Sequence, residues 1–196
     1  MSVAALALAL AVGVACRDAP ADDAVAEPEG YRLQDYDAPV PETLSGARTV
    51  TAVDVRALLA KGAVIVDVIP AHRPPSRLPD GQLWMPPPHS GVPGALWLPD
   101  TGFGALAPVT ERYFLDHLER ASGGERSRAL VFYCRMDCWM SWNAARRALL
   151  AGYENVHWFR DGIDDWRFEG YPVEPLEPAP GSRLPPSAPE PGRTER

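Results

Sequence analysis

Strand-like runs and helical patterns alternate along residues 51–168, and this alternation predicts an α/β protein with a mainly parallel central sheet covered by helices on both faces. Two runs carry the prediction. Ala63-Val64-Ile65-Val66-Asp67-Val68 and Ala129-Leu130-Val131-Phe132-Tyr133 are continuously apolar or β-branched instead of alternating with polar residues. That is the pattern of strands buried on both faces, which only a sheet sandwiched between helices provides. A third observation is that each run is followed by a helical segment before the next strand begins.

Taken in order, Thr51-Ala52-Val53-Asp54 reads as a capping box that opens a helix over Val53–Ala60, closed by Gly62. The strand 63–68 follows. A Pro-rich excursion from Pro70 to Pro93 then holds Arg73, Arg77, Trp84 and His89; connections of this length are uncommon and often functional. Next come a short strand at Ala95–Leu98, a helix over Glu111–Ala121 and the strand at 129–133. A helix over Ser141–Ala151, a strand at Asn155–Trp158 and a helix over Asp161–Phe168 complete the series. In such sheets ligand sites form beyond the carboxyl ends of the strands, where both Asp67 and Cys134 fall.

The ends differ from this middle. Met1 to Ala15 is an almost unbroken Ala/Val/Leu run that stops at Cys16, so residues 1–16 are expected to be an export signal, cleaved after small residues or lipidated at Cys16. The run is too short to span a bilayer as a stable helix, and no membrane span is expected after its removal. Residues 17–47 comprise an acidic linker and an arm, Gly30 to Pro41, whose aromatic and apolar residues suit it to packing. The domain occupies 48–173. Residues 174–196, dominated by proline with few apolar residues, are expected to be a disordered tail.

The 196 residues carry a net charge of −7 with scattered basic residues, which argues against a nucleic-acid partner. With 46% hydrophobic residues and six tryptophans, the domain has ample material for a core. Of three cysteines, Cys16 belongs to the signal, leaving Cys134 and Cys138 as a pair in a compartment that permits disulfides. The expected location is therefore the periplasm or the exterior. Two cysteines without a second Cys-x-x-Cys or a His-x-x-x-His do not make a metal site, and Trp139 stands where a haem attachment needs histidine. No cofactor is expected.

Cys134 closes a strand and a helical pattern starts shortly afterwards. Backbone N–H groups of the turn and the positive end of the helix both favour a thiolate there, so Cys134 is the candidate nucleophile. Cys138 follows within the turn, near enough for a disulfide. Three roles stand open for it: resolving a persulfide on Cys134, cycling with it as a redox dithiol, or stapling the loop. Arg135, Asp67, Trp139 and Ser141 are candidates for substrate binding or loop support. Arg135 has two readings, an anion contact or a surface pair with Asp137. Trp139 and Trp142 either wall a pocket or belong to the core, and His89 reads as an exposed loop histidine or as an acid or base reaching the site from the Pro-rich excursion.

These residues resemble a rhodanese domain from Thr51 to about Pro172. The likeness runs through Ile65-Val66-Asp67-Val68, Val92-Pro93-Gly94-Ala95-Leu96-Trp97-Leu98-Pro99, Leu130-Val131-Phe132-Tyr133-Cys134-Arg135, Ala144-Ala145 with Gly152-Tyr153-Glu154-Asn155-Val156, and Asp161-Gly162-Ile163 with Trp166. The resemblance implies the rhodanese-like fold and sulfur transfer through a Cys134 persulfide from a small sulfur-containing or thiol substrate. Tyr31 to Pro41, Trp84-Met85-Pro86-Pro87-Pro88 and Cys138-Trp139-Met140-Ser141-Trp142-Asn143 further resemble an exported subgroup named for a Cys-x-x-Cys-Trp motif. That subgroup is associated with alcohol catabolism through periplasmic PQQ-dependent dehydrogenases. The loop departs from the family pattern Cys-Arg-x-Gly-x-Arg-Ser. It is one residue longer, and Trp139 or Met140 stands where the supporting arginine is expected. The same lack argues against a phosphatase, which needs that arginine for a phosphate dianion. Asp67 thereby loses its loop arginine, with Arg135 or Arg73 as replacements. The readings left open are a sulfurtransferase-like enzyme, a thiol–disulfide oxidoreductase, and a non-catalytic accessory module with a Cys134–Cys138 disulfide.

Overall fold

The computed structural model describes residues 25–75, 77, 78 and 81–182. The expected export signal with Cys16, residues 17–24 of the expected linker and the last fourteen residues of the expected tail lie outside them. The predicted α/β fold is present as a five-stranded, wholly parallel sheet with four helices. The elements run β1 (Arg48–Val50), α1 (Ala52–Ala60), β2 (Val64–Asp67), β3 (His89–Gly91), β4 (Leu96–Trp97), α2 (Pro108–Ser122), β5 (Leu130–Tyr133), α3 (Trp139–Leu150), β6 (Val156–Phe159), α4 (Gly162–Phe168) and β7 (Glu174–Leu176). Strand order in the main sheet is β1-β6-β5-β2-β4, while β3 and β7 form a separate antiparallel pair. Among the described residues no helix is long and apolar enough to cross a membrane.

Side chains alternate across a strand, so each central strand feeds two cores. Val66, Val68, Leu130, Phe132, Val156 and Trp158 face one side, where they meet Phe114 and Leu118 of α2 and Trp142, Ala145 and Ala148 of α3. Ile65, Val131, Tyr133 and Phe159 face the other, against Val55 of α1 and Ile163 and Trp166 of α4. The continuous apolar runs are the consequence of both faces being covered. Thr51 caps α1 as expected: its hydroxyl accepts the Asp54 N–H, and the Asp54 carboxylate accepts the Thr51 N–H. Helix α2 ends on Gly123 in the left-handed conformation, which glycine adopts without steric cost.

Residues 174–182, expected to belong to the tail, are structured. Glu174–Leu176 pairs with His89–Gly91, Leu176 is buried, and the buried Ala179 donates its N–H to the Trp97 carbonyl. Tyr113 and His117 of α2 then contact the Ala179 and Pro180 carbonyls through side-chain hydrogen bonds. Composition misleads here because two well-placed apolar residues and a few backbone bonds suffice to hold a short edge strand. Pro175 is tolerated because only alternate N–H groups of such a strand face its partner.

His157 in β6 offers a check on the packing. Burial holds its imidazole below the ordinary histidine pKa, with Arg48 adding to the effect. The folded protein therefore disfavours the imidazolium. As pH falls through about 6.5, the unfolded chain takes up a proton first, and stability drops until the folded form also protonates. His157→Asn should flatten this part of the stability–pH curve, measured by urea unfolding. An unchanged slope would mean that other groups dominate it.

Candidate active site at the Cys134–Cys138 loop

The loop between β5 and α3 is held from three sides. Ile163 of α4 donates its N–H to the Cys134 carbonyl at 3.0 Å, and Asp164 accepts the Met136 N–H at 2.9 Å. A side chain at Gly162 would place its Cβ 2.1 Å from the same carbonyl oxygen, and the residue has φ +55°. The third support is the arm. Asp37 lies antiparallel to Cys138, with Ala38 donating to the Asp137 carbonyl and Trp139 donating to the Tyr36 carbonyl. Asp137, at φ +50°, makes the reversal that brings Cys138 back over Cys134.

As a result the two sulfurs are 2.7 Å apart and both buried. That separation lies roughly 0.7 Å beyond a disulfide bond length. The helix starts at Trp139, two residues before the expected Ser141, so Cys138 is its N-cap residue. The Cys138 thiol is held below its ordinary pKa by the S–H donated from Cys134, aided by the Met140 N–H and the Arg135 charge. Burial pushes the Cys134 thiol well up, and the neighbouring Cys138 and Asp67 push it further. The two thiols are thus pushed in opposite directions, Cys138 down and Cys134 up, and they titrate as one pair.

The other candidates separate. Arg135 pairs with Asp37 at 2.7 Å, and not with Asp137. Trp139 is core: it is buried, packs edge-on against Trp142 at 5.5 Å, and donates its indole N–H to the Pro39 carbonyl. Ser141 does not face the sulfurs with its hydroxyl. It donates to the Cys138 carbonyl and accepts the Trp158 indole N–H, tying α3 to β6.

Asp67 is buried on the opposite face of the sheet from Cys134, because the strand period places it beside Tyr133 in register. Neither Arg135 nor Arg73 reaches it; Arg73 pairs with Asp100. Instead its carboxylate accepts the Tyr133 hydroxyl at 2.6 Å, His89 Nε2 at 2.8 Å and the Ile69 N–H at 2.8 Å. His89, expected to be exposed, is buried by β3 and stacks on Trp97 at 4.1 Å between ring centroids. Gly91 is required beside it, since a Cβ there would lie 2.4 Å from the Tyr133 hydroxyl oxygen. Asp37, Tyr36, Asp164 and Gly162 are the site residues that sequence reasoning missed. Gly162 lies within the Asp161-Gly162-Ile163 motif, and Tyr36 and Asp37 lie within the arm already singled out, though without a stated link to the loop.

Among the described residues no three His, Cys, Asp or Glu side chains converge as a metal would require. A cavity of about 340 Å³ lies away from the sulfurs, between Asp100 and Tyr113. Another of about 460 Å³ lies under the arm, where Trp139 meets residues 25–34.

Several solved structures are similar at low identity. The rhodanese-like domain of an Anabaena protein is 22% identical, covers 78% of this chain and 94% of its own, and has a TM-score of 0.40. A human single-domain sulfurtransferase is 22% identical over 63% of this chain and 97% of its own, with a TM-score of 0.37. The polysulfide-sulfur transferase homodimer of Wolinella succinogenes is 18% identical over 71% and 85%, with a TM-score of 0.39. No curated protein matches the chain. The model of the rhodanese-like domain matches residues 51–169, more than half of the chain, and the protein belongs to that family.

Proposed function

We propose that Cys134 and Cys138 form a dithiol–disulfide couple that takes sulfur from a small sulfane-sulfur donor. In this reading the protein is exported and serves a periplasmic PQQ-dependent alcohol-oxidising system. The observation that carries the chemistry is the 2.7 Å approach of the two sulfurs, with Cys138 at the helix N-cap. Export and the quinoprotein link are supported by the Met1–Ala15 run and by the likeness of the arm and the Cys138-Trp139 segment to the exported subgroup.

The Cys138 thiolate attacks the terminal sulfur of a donor R–S–S⁻. The donor's S–S bond breaks, RS⁻ leaves, and Cys138 carries a persulfide. Cys134 passes its proton to the terminal sulfur and attacks Cys138 Sγ. Hydrosulfide leaves and the Cys134–Cys138 disulfide forms. Two electrons pass from the dithiol to the sulfane sulfur, and an external dithiol reductant restores the pair. This order is the reverse of the one the family pattern implies; it is supported by the place of Cys138 at the helix N-cap and by the S–H it accepts from Cys134.

Mass spectrometry after exposure to a persulfide donor tests it. The wild type should release sulfide and lose about 2 Da as the disulfide forms, whereas Cys134→Ser should hold an adduct of about +32 Da on Cys138. An adduct trapped only on Cys134, in Cys138→Ser, would restore the opposite order. Sulfide release unchanged in both variants would end the enzymatic reading. Burial of both sulfurs favours one second reading, an accessory module with a permanent disulfide. A disulfide resisting reduction below about −300 mV supports that reading, while one reduced near about −200 mV supports the couple.

A further inference from the structure

We propose that residues 31–39 are an autoinhibitory strap that holds the place of an anionic sulfur donor beside Cys138. The inference rests on the reading of Cys134 and Cys138 as a reactive pair and names what controls access to it. Two donor groups of the loop suit an incoming anion: the Trp139 N–H at the start of α3 and the Arg135 guanidinium. The arm fills both. The Tyr36 carbonyl accepts the Trp139 N–H at 2.9 Å, and the Asp37 carboxylate takes Arg135 at 2.7 Å. Ala38 closes the bridge by donating to the Asp137 carbonyl at 3.0 Å. With the strap docked both sulfurs are buried, so no donor reaches them.

The strap is built to leave. Leu33, Gln34, Asp35, Asp37 and Pro39 are exposed, and none of residues 31–39 is fully buried. Beyond its hydrogen bonds and the exposed Asp37–Arg135 pair, the strap is held by Tyr36 and Ala38 at the edge of the core and by cation–π contacts of Tyr31 with Arg147 and Arg32 with Trp139. Segments with few buried apolar contacts open at a small fraction of the global unfolding cost. One end is fixed by Val40, Pro41 and Leu44, all buried, which makes the 39–40 junction the hinge. The other end is tied through Asn143, which exchanges two hydrogen bonds with the Arg32 backbone. Undocking frees the Arg135 guanidinium, the Trp139 N–H and the Cys138 sulfur together, and these are the groups that bind and attack a small sulfur anion.

The test is the rate at which iodoacetamide alkylates the reduced full-length protein, followed by peptide mass spectrometry. This readout needs no sulfur transfer. Asp37→Ala should raise labelling of Cys138 roughly three-fold, as loss of one exposed ion pair allows. Adding Tyr36→Ala should raise it by roughly ten-fold or more. Labelling at the wild-type rate in both, with folding intact, overturns the strap. If the double variant fails to fold, hydrogen exchange of the wild type decides: the Ala38 and Trp139 amides should exchange well before those of β5, and exchange only together with β5 overturns the proposal. Faster labelling without any sulfide release would leave the strap standing while the dithiol reading fails.

Discussion

Gly162→Ala is expected to destabilise the protein by about 3 kcal/mol or more and to lower its midpoint of thermal unfolding by roughly 10 °C. The added Cβ would stand 2.1 Å from the Cys134 carbonyl oxygen and 2.8 Å from its carbon. Both are backbone atoms at the end of a central strand, so no side-chain rotation relieves the clash. The φ of +55° adds a conformational cost of about 1 kcal/mol for any L side chain. Relief requires α4 to move away, which breaks the Ile163-to-Cys134 hydrogen bond and lets the loop turn. The variant should therefore also lose the close approach of the sulfurs, read as a slower oxidation of the dithiol. Thermal unfolding together with thiol oxidation kinetics measures both effects. A variant within about 1 kcal/mol of the wild type would show that the loop is far softer than its contacts imply.

Asp67→Ala comes second. It strands the Tyr133 hydroxyl, His89 Nε2 and the Ile69 N–H in a dry interior, at about 1–3 kcal/mol for each buried donor left without a partner. The total, about 3 kcal/mol or more, makes Asp67→Ala as disruptive as the glycine change. Asp67→Asn keeps the shape and one acceptor, so it should cost less. It separates packing from charge. The Asp67 carboxylate is one of the influences that raise the Cys134 thiol, so its neutral isostere should let Cys134 ionise at lower pH. Reduced Asp67→Asn should accordingly show a second alkylation step, that of Cys134, displaced towards lower pH than in the wild type. A step that does not move would show that the sheet screens one face from the other.

The strands that build the sheet were legible because their burial on both faces leaves a continuous apolar record. Ile65–Val68 and Leu130–Tyr133 needed no partner to be recognised. The three missed strands, β1, β3 and β7, have three residues each, and two of them lie in proline-rich surroundings. β3 and β7 are each other's partners and β1 is paired only by β6, so none of the three leaves a periodicity of its own. That explains why His89 read as an exposed loop residue: only the pairing of β3 with β7 buries it. Likewise the cysteine pair was visible from spacing, but the identity of the lower-pKa sulfur was not. That turns on the deeper burial of Cys134 and on the S–H it gives to Cys138, neither of which spacing reveals. Asp37 and Asp164 reach the loop from remote parts of the chain, and nothing local marks them. Asp67 illustrates a subtler limit. Its place at a strand end was plain, yet the pleat sends it to the face opposite Cys134.

The pairing of β3 with β7 also sets a sequence of events in the life of the chain. Synthesis delivers residues from the amino end, so β5, the cysteine loop and α4 are all available before Leu176 arrives opposite His89. Until then the buried carboxylate has Tyr133 but not a fixed imidazole. The nascent molecule thus passes through a stage with its thiols in position and their electrostatic surroundings unfinished, and the last strand to emerge is the one that completes them.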